Sequence, residues 1–322
     1  ICKYDNLRKL LSYITATDLD EGQRFKYPFL ACEIISCEIS QIVEAIVVEQ
    51  KDLLETFWSF LDRPASPRRR VTDPVIPEIE GVGLDSLQAS YFCKVISVFL
   101  TKQTTEMVEF IKSRPDNLAK ILSHLQTSAI MDLLLTLVRL EELPEGKGLV
   151  QWLSDHGLLD DLVNRLDPYM DNEEHSIAQQ CICEIIRMSQ TSLVESPSIG
   201  VNDLITQLKR YILEYTYVKI FIANLVSERM MKKLVDFMLD PDAPNSTSTL
   251  INGVTIIIDL IRHNNSDMDN DPMLNGVYSY QTNTIARHPS VSLADMLKVL
   301  ADRVSDFNNL LVKPKSVVRA FN

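Results

Sequence analysis

Histidines, cysteines, paired carboxylates and one serine set beside arginines are the residues of this chain whose chemistry could be put to use. The five histidines, His124, His156, His175, His263 and His288, are scattered along 322 residues. A catalytic or metal-binding imidazole needs a partner at a defined offset, and none of the five has one. His124 and His156 fall beside helix ends, where a ring caps carbonyls or meets solvent. The six cysteines are Cys2, Cys32, Cys37, Cys93, Cys181 and Cys183, and no two form a C-x-x-C pair. The offsets between Cys32 and Cys37 and between Cys181 and Cys183 point the side chains apart on a helix. They read as buried free thiols and not as a metal site, which implies a reducing compartment, cytosol or nucleus.

The acidic groups give no site either. Asp267-Met-Asp269-Asn-Asp271 resembles the start of a calcium loop, but Pro272 stands where the turn needs glycine and Tyr278 where a bidentate glutamate belongs. Asp160-Asp161 and Glu173-Glu174 are adjacent pairs, which diverge on a helix and form solvated faces. The phosphate loop, dinucleotide, serine-elbow and zinc-helix signatures are absent. The expectation is a protein without enzymatic activity, cofactor or metal. One local signal remains, Ser66-Pro67-Arg68-Arg69. A proline-directed kinase could modify Ser66, and the new charge beside three arginines would order the surrounding loop. The alternative is a solvated basic loop.

The elements that carry these residues are helical, because apolar side chains recur at three- and four-residue steps in segment after segment. Residues 4–15 place Leu7, Leu10, Leu11 and Ile14 on one stripe. Pro28 suits a first helical position, with Phe29, Cys32 and Ile35 following, and Ser36 or Ser40 is positioned to cap the next helix. Residues 51–61 repeat the spacing, as do 84–101 with Leu84, Leu87, Tyr91, Val95, Ile96, Phe99 and Leu100 inward. Short helices are predicted at 104–113 and 115–125. Residues 127–141 are apolar nearly all round, the mark of a buried central helix. Further helices are predicted at 149–153, 158–166, 173–189, 201–214, 217–226 and 227–239. Residues 248–263 should turn Leu250, Ile251, Val254, Ile257, Ile258 and Ile261 inward; the isoleucine run would also suit a strand, but length and neighbours favour helix. A long final helix covers about 291–311. The proline- and arginine-rich stretch 62–83 and the polar stretch 264–288 read as exposed loops, the first of them mobile, and 190–200 as a linker.

Roughly sixteen helices with short polar turns describe an all-α fold, a helical-repeat solenoid of HEAT- or armadillo-like helix pairs. Each pair buries its stripe against its neighbours, so a chain above the size of one compact core grows as an array. Nine glycines suit this, being too few for many tight turns or phosphate loops. The formal net charge is −12. Residues 62–73 carry +2 and 313–322 carry +3, so the rest carries −12 − 2 − 3 = −17. Such a surface excludes nucleic acid as the main partner and can steer a basic one. No apolar run is long enough for membrane insertion, and the sequons at Asn245 and Asn264 read as chance matches. The chain begins at Ile1 without an initiator methionine, the expectation for one domain of a longer protein spanning 1–322.

Seven blocks carry a resemblance. RFKYP (24–28), SFL (59–61), ASYFCKVISVFLTK (89–102), TSAIMDLLL (127–135), QWLSDHGLLDDLV (151–163), QQCICEIIRMSQ (179–190) and DFNNLL (306–311) resemble, in order and spacing, the SAPS-domain family. TSAIMDLLL is the most specific, since a buried helix has no need of Thr127, Ser128 and Asp132. The resemblance implies a regulatory subunit of a type-2A-like phosphatase, the type 6 enzyme or its fungal counterpart, that binds the catalytic subunit and sets its substrates or location. It also implies ankyrin-repeat subunits as further partners. The metallophosphatase signatures GDxHG, GDxxDRG and GNHE are absent, which leaves the chemistry to the partner. The length of the 62–83 stretch points to a fungal-type member. Polar and aromatic residues in the matching blocks are the candidates for partner binding: Arg24, Tyr27, Ser90, Lys94, Thr127, Ser128, Asp132, Glu184 and Arg187. Asp132 has a competing role bracing its own helix pair, and Glu184 with Arg187 could be a plain i,i+3 ion pair. The runner-up function is a generic helical-repeat adaptor for transport or trafficking.

Overall fold

A computed structural model describes residues 3–73, 83–191, 219–265 and 291–312. The predicted helix at 201–214, Cys2, His288, the calcium-like run from Asp267 and most of the 190–200 and 264–288 stretches lie outside the described residues. Every extended element that is described is a helix. They are α1 (Tyr4–Thr15), α2 (Glu21–Arg24), α3 (Lys26–Ser36), α4 (Ser40–Glu44), α5 (Lys51–Trp58), α6 (Ser86–Lys102), α7 (Thr104–Lys112), α8 (Asp116–Ser123), α9 (Ser128–Arg139), α10 (Leu149–Asp155), α11 (Leu158–Asn164), α12 (Asn172–Thr191), α13 (219–225), α14 (Glu228–Leu239), α15 (Ser246–Asn265), α16 (Ala294–Asp302) and α17 (Val304–Val312). Among the described residues there is no strand, only an isolated antiparallel bridge between Arg70 and Met170. The fold is all-α, built from helices packed on near neighbours, as a helical repeat requires. No described helix is long and apolar enough to cross a membrane.

The described residues form two compact units, 3–68 with 73 and 83–161 in one, and 69–72, 162–191, 219–265 and 291–312 in the other. In the first, α1 packs on α3, α3 on α6 and α6 on α9. An aromatic cluster fills it: Phe92 of α6 meets Phe57 at 4.9 Å, Phe60 at 4.9 Å and Trp58 at 6.1 Å between ring centroids. α9 buries Ile130, Met131, Leu133, Leu134, Leu135, Leu137 and Val138, as its nearly continuous apolar run predicts. Local chemistry sets the ends. Asp85 accepts the Gln88 amide at 2.9 Å and starts α6. Ser40, expected as a cap, is instead the first residue of α4, whose N-cap is Ile39; α4 then widens into a π-helical turn, Ala45–Glu49. The buried Glu141 carboxylate receives the amides of Gly148 at 2.6 Å and Val150 at 2.7 Å, so a side chain from the preceding turn caps α10. That turn needs glycine at 146, where a β-carbon would stand 1.8 Å from the Leu140 carbonyl oxygen.

In the second unit α15 packs against both α12 and α14, and α14 against α16. The predicted inward face of α15 holds at Ile257 and fails at three other positions. Ile251, Val254 and Ile258 are exposed, while Ser246, Thr249, Gly253, Ile256, Ile257 and Leu260 are buried. Apolar residues occupy so much of this helix that hydrophobicity does not select a side. The small residues do: a β-carbon at Gly253 would come 2.5 Å from Met238 Sδ of α14, and Thr249 meets the His175 ring of α12. The predicted final helix is two, broken at Arg303, which bonds Asp306 and Asp236. The basic stretch is also less free than a solvated loop. The Val71 amide donates to the Tyr169 carbonyl at 2.9 Å and the Asp171 amide to that of Arg69 at 3.1 Å.

Two buried histidines tie the units' stability to pH. His124, at the end of α8, donates from Nε2 to the Leu61 carbonyl at 3.2 Å. His175 donates from Nε2 to the Asp167 carbonyl at 2.8 Å and accepts the Ser248 hydroxyl at Nδ1, also 2.8 Å, the neutral form of the ring. Burial pushes both imidazoles below 6.5, against the pull of backbone carbonyls and, for His175, of Asp171, Asp167 and Glu174. The unfolded chain therefore takes up protons that the folded one refuses. Stability is full above about pH 6.5 and falls as the pH drops below it. Urea midpoints should decline from pH 7 to 5.5, and less steeply in a His124→Gln/His175→Gln variant; equal slopes would refute the assignment.

Candidate partner-binding face

The candidate residues divide according to whether the fold already uses them. Arg187, on α12, bonds Glu184 at 2.6 Å and reaches Asp259 of α15 at 2.9 Å. That is more than an i,i+3 pair, because Asp259 is mostly buried and the Arg187 charge pins two helices together. Lys94 of α6 pairs with Glu33 of α3 at 2.5 Å, and this contact raises its pKa. The Lys94–Glu33 pair is about half exposed on both sides, where such a pair is worth about 0–1 kcal/mol. Tyr27 is half-buried, its ring 5.0 Å from that of Tyr13. Thr127 is the N-cap of α9, but its side chain does not cap; its carbonyl accepts the amides of Ile130 and Met131.

Arg24, Ser90, Ser128 and Asp132 differ. All four are exposed. The Arg24 guanidinium lies 5.9 Å from the Phe25 ring centroid. The side chains of Ser90, Ser128 and Asp132 have no hydrogen-bond or ion-pair partner among the described residues. Asp132 braces nothing through its carboxylate; only its backbone carbonyl is engaged, by the Thr136 hydroxyl at 2.8 Å. Ser90 lies on α6, and Ser128 and Asp132 lie on the adjacent α9 of the same unit.

Apolar side chains join them. Periodicity assigns Phe29, Leu87 and Tyr91 to the core, yet Phe29 is 47% and Leu87 43% exposed, and Tyr91 is only partly covered. The inward faces hold Cys32 and Ile35 of α3 and Val95, Ile96 and Phe99 of α6, as predicted, together with Ala31, Ala89 and Phe92. The Phe29 and Tyr91 rings stand 6.5 Å apart, and Leu87 is one turn from Tyr91. Leu30 of α3, 43% exposed, and Phe25, which precedes α3 and is 65% exposed, are further apolar side chains left at the surface. The sequence marks these residues only weakly, as apolar positions adjoining the stripe in RFKYPFL.

Among the described residues no group of three or more His, Cys, Asp or Glu could hold a metal ion. The Cys93 thiol is pushed up to about 12 by burial and then by the Asp132 charge, so it stays protonated and unreactive at neutral pH. Cys183 is likewise pushed up to about 12 by burial. Cys37 departs from the expectation of buried thiols and is exposed.

Sequence reasoning missed one half-buried arginine and three buried charged groups, and it read Glu174, 6% exposed, as part of a solvated face. Arg63, from the proline-rich stretch, covers the Phe60 ring at 4.5 Å and bonds Gln88 and the Thr15 carbonyl. Arg165 is fully buried and pairs with Glu174 at 2.6 Å; Glu141 is the third. A lone charge in an apolar run was the one available signal, and it does not name the partner.

The family described as "SIT4 phosphatase-associated protein" (SAPS) matches residues 96–320. The chain belongs to the SAPS family. Among its relatives, the fission yeast (Schizosaccharomyces pombe) "Extragenic suppressor of kinetochore protein 1" is 35% identical over 98% of this chain and 34% of its own length. The human "Serine/threonine-protein phosphatase 6 regulatory subunit 1" is 26% identical over 96% of this chain and 32% of its own. The Xenopus laevis "Serine/threonine-protein phosphatase 6 regulatory subunit 3-A" is 33% identical over 69% of this chain and 25% of its own. The SAPS chain thus spans about a third or less of the length of these relatives. No solved structure matches it.

Proposed function

We propose that this SAPS chain is a non-catalytic subunit that holds the catalytic subunit of a type-2A-like phosphatase, the type 6 enzyme or its counterpart, and directs its substrate choice or location. The names of its relatives support the partner. The observation that carries the site is the face of α3, α6 and α9. Phe29, Leu87 and Tyr91 stay outside the core their spacing suits, and the fold leaves unused the Ser90 hydroxyl on the same α6 and the Asp132 carboxylate on α9, which packs on α6. Exposed aromatic anchors rimmed by polar groups are what a protein partner uses. The surrounding acidic surface would speed encounter with a basic patch. Ankyrin-repeat subunits fit the same reading as additional partners, and the free cysteines fit a location in cytosol or nucleus.

Co-purification with the recombinant catalytic subunit tests the proposal. A one-to-one complex is expected. Phe29→Ala/Leu87→Ala should weaken it at least about tenfold, and Asp132→Lys should lower it further, with melting temperatures unchanged. Arg187→Ala, on α12, should leave binding intact and slightly lower stability. Full binding by the triple variant would place the docking surface elsewhere, and no complex with the wild-type chain would end the phosphatase reading.

A further inference from the structure

Ser66 lies in the irregular stretch between the short turn Ser59–Asp62 and α6, where residues 64–69 form neither helix nor strand. Pro67 biases Ser66 away from helical backbone and toward an extended conformation, the form in which a kinase cleft takes a peptide. Proline follows the serine directly, and Arg68, Arg69 and Arg70 come next. The sequence motif thus lies in irregular backbone, with the Ser66 side chain half-buried.

The surroundings decide what a phosphate would do there. The Gly83 amide donates to the Pro64 carbonyl at 2.9 Å, closing a clip around Ser66. Gly83 holds a φ of +97°, and even a β-carbon on it would stand 2.9 Å from Ser66 Oγ. A phosphoryl group on that side has no space while the clip is closed. Gln126 adds a long hydrogen bond, 3.4 Å, to the Ser66 carbonyl. Arg68 is committed to Asp161 of α11 at 2.6 Å, with both side chains partly exposed. A phosphoserine carries a charge of roughly −1.5 to −2 and three acceptor oxygens. It would sit two residues from the Arg68 guanidinium, which favours such bidentate acceptors, and would compete with the single charge of Asp161.

We propose that Ser66 is a phosphoacceptor for a proline-directed kinase, and that its phosphate releases Gly83 from Pro64 and draws Arg68 from Asp161. The Ser66 hydroxyl oxygen forms a bond to the γ-phosphorus of ATP, the bond from that phosphorus to the bridging oxygen breaks, ADP leaves, and the hydroxyl proton passes to the kinase's base. The consequence is the reverse of the ordering that the arginines alone imply: the modification traps this segment with its clip open. It stands independently of phosphatase binding.

The folded chain would be incubated with ATP and a cyclin-dependent-type kinase, and phosphate located by peptide mass spectrometry. One phosphate is expected on Ser66 and none on that peptide in Ser66→Ala. Amide exchange at Gly83 should then be at least about tenfold faster in the phosphorylated chain. Asp161→Asn, which loosens Arg68 without touching the acceptor, should raise the initial phosphorylation rate about two- to fivefold. An unmodified Ser66 in the folded chain, or unchanged exchange at Gly83 after modification, overturns the proposal. An unchanged rate in Asp161→Asn overturns the part assigned to Arg68.

Discussion

Phe92→Ala is expected to destabilise the first unit by about 3–5 kcal/mol. The side chain is fully buried, and its ring touches those of Phe57, Trp58 and Phe60. Removing it takes away the shared partner of three aromatic rings, and the cavity cannot collapse without moving α5 against α6. The loss is a large share of the roughly 5–15 kcal/mol that holds a typical domain folded. It also reaches function, because Phe92 is on the inner side of the helix whose outer side presents Leu87, Ser90, Tyr91 and Lys94. Urea unfolding followed by circular dichroism should show a lower midpoint, and the proposed phosphatase binding should fall with the folded fraction. Phe92→Leu should recover most of both. A Phe92→Ala midpoint within error of wild type would mean that the aromatic cluster does not support α6.

Arg165→Met should cost the second unit about 3–5 kcal/mol. The Arg165 guanidinium is inaccessible to water and meets the Glu174 carboxylate, 7% exposed, at 2.6 Å. Deleting the cation leaves a buried anion at the start of α12, where dehydration is unfavourable and the remaining compensation is the helix N-terminus. The pair itself contributes far less than its disruption costs, since its mutual attraction mainly offsets the dehydration of both ions. The double variant Arg165→Met/Glu174→Leu should therefore be much closer to wild type than Arg165→Met alone. Two equally unstable variants would show that Arg165 acts through packing and its other contacts rather than through Glu174.

Helices were the legible part of this protein, and α9 shows why. Its apolar run is so continuous that any helix made from it must be buried on most sides, whatever surrounds it. α15 shows the limit. It too is rich in isoleucine, and the predicted inward set includes Ile251 and Ile258, which the structure exposes. Its packed face is chosen by Gly253 and Thr249, small side chains that let α14 and α12 approach closely. Periodicity weighs hydrophobicity and has no measure of the room a neighbour needs. The same blindness placed Phe29, Leu87 and Tyr91 in the core, and so concealed the patch proposed for a partner. The candidate residues were legible as a set, through the blocks that resemble the family, but not as roles. Arg187 and Lys94 look like Asp132 in the sequence. Asp259 and Glu33, distant along the chain, occupy the first two and leave the third open.

The sequence by itself determined the secondary structure class, the family and the lack of any recognisable catalytic motif, because these depend on local spacing and on blocks of adjacent residues. Tertiary structure alone decided which faces are buried, which charges are paired and which remain free. Those outcomes depend on side chains brought together from far apart: Arg63 against Phe60 and Gln88, Arg165 against Glu174, and Ser66 inside the clip made by Pro64 and Gly83. A carboxylate's availability to a partner is a property of everything around it, and no residue carries that information in its own position along the chain.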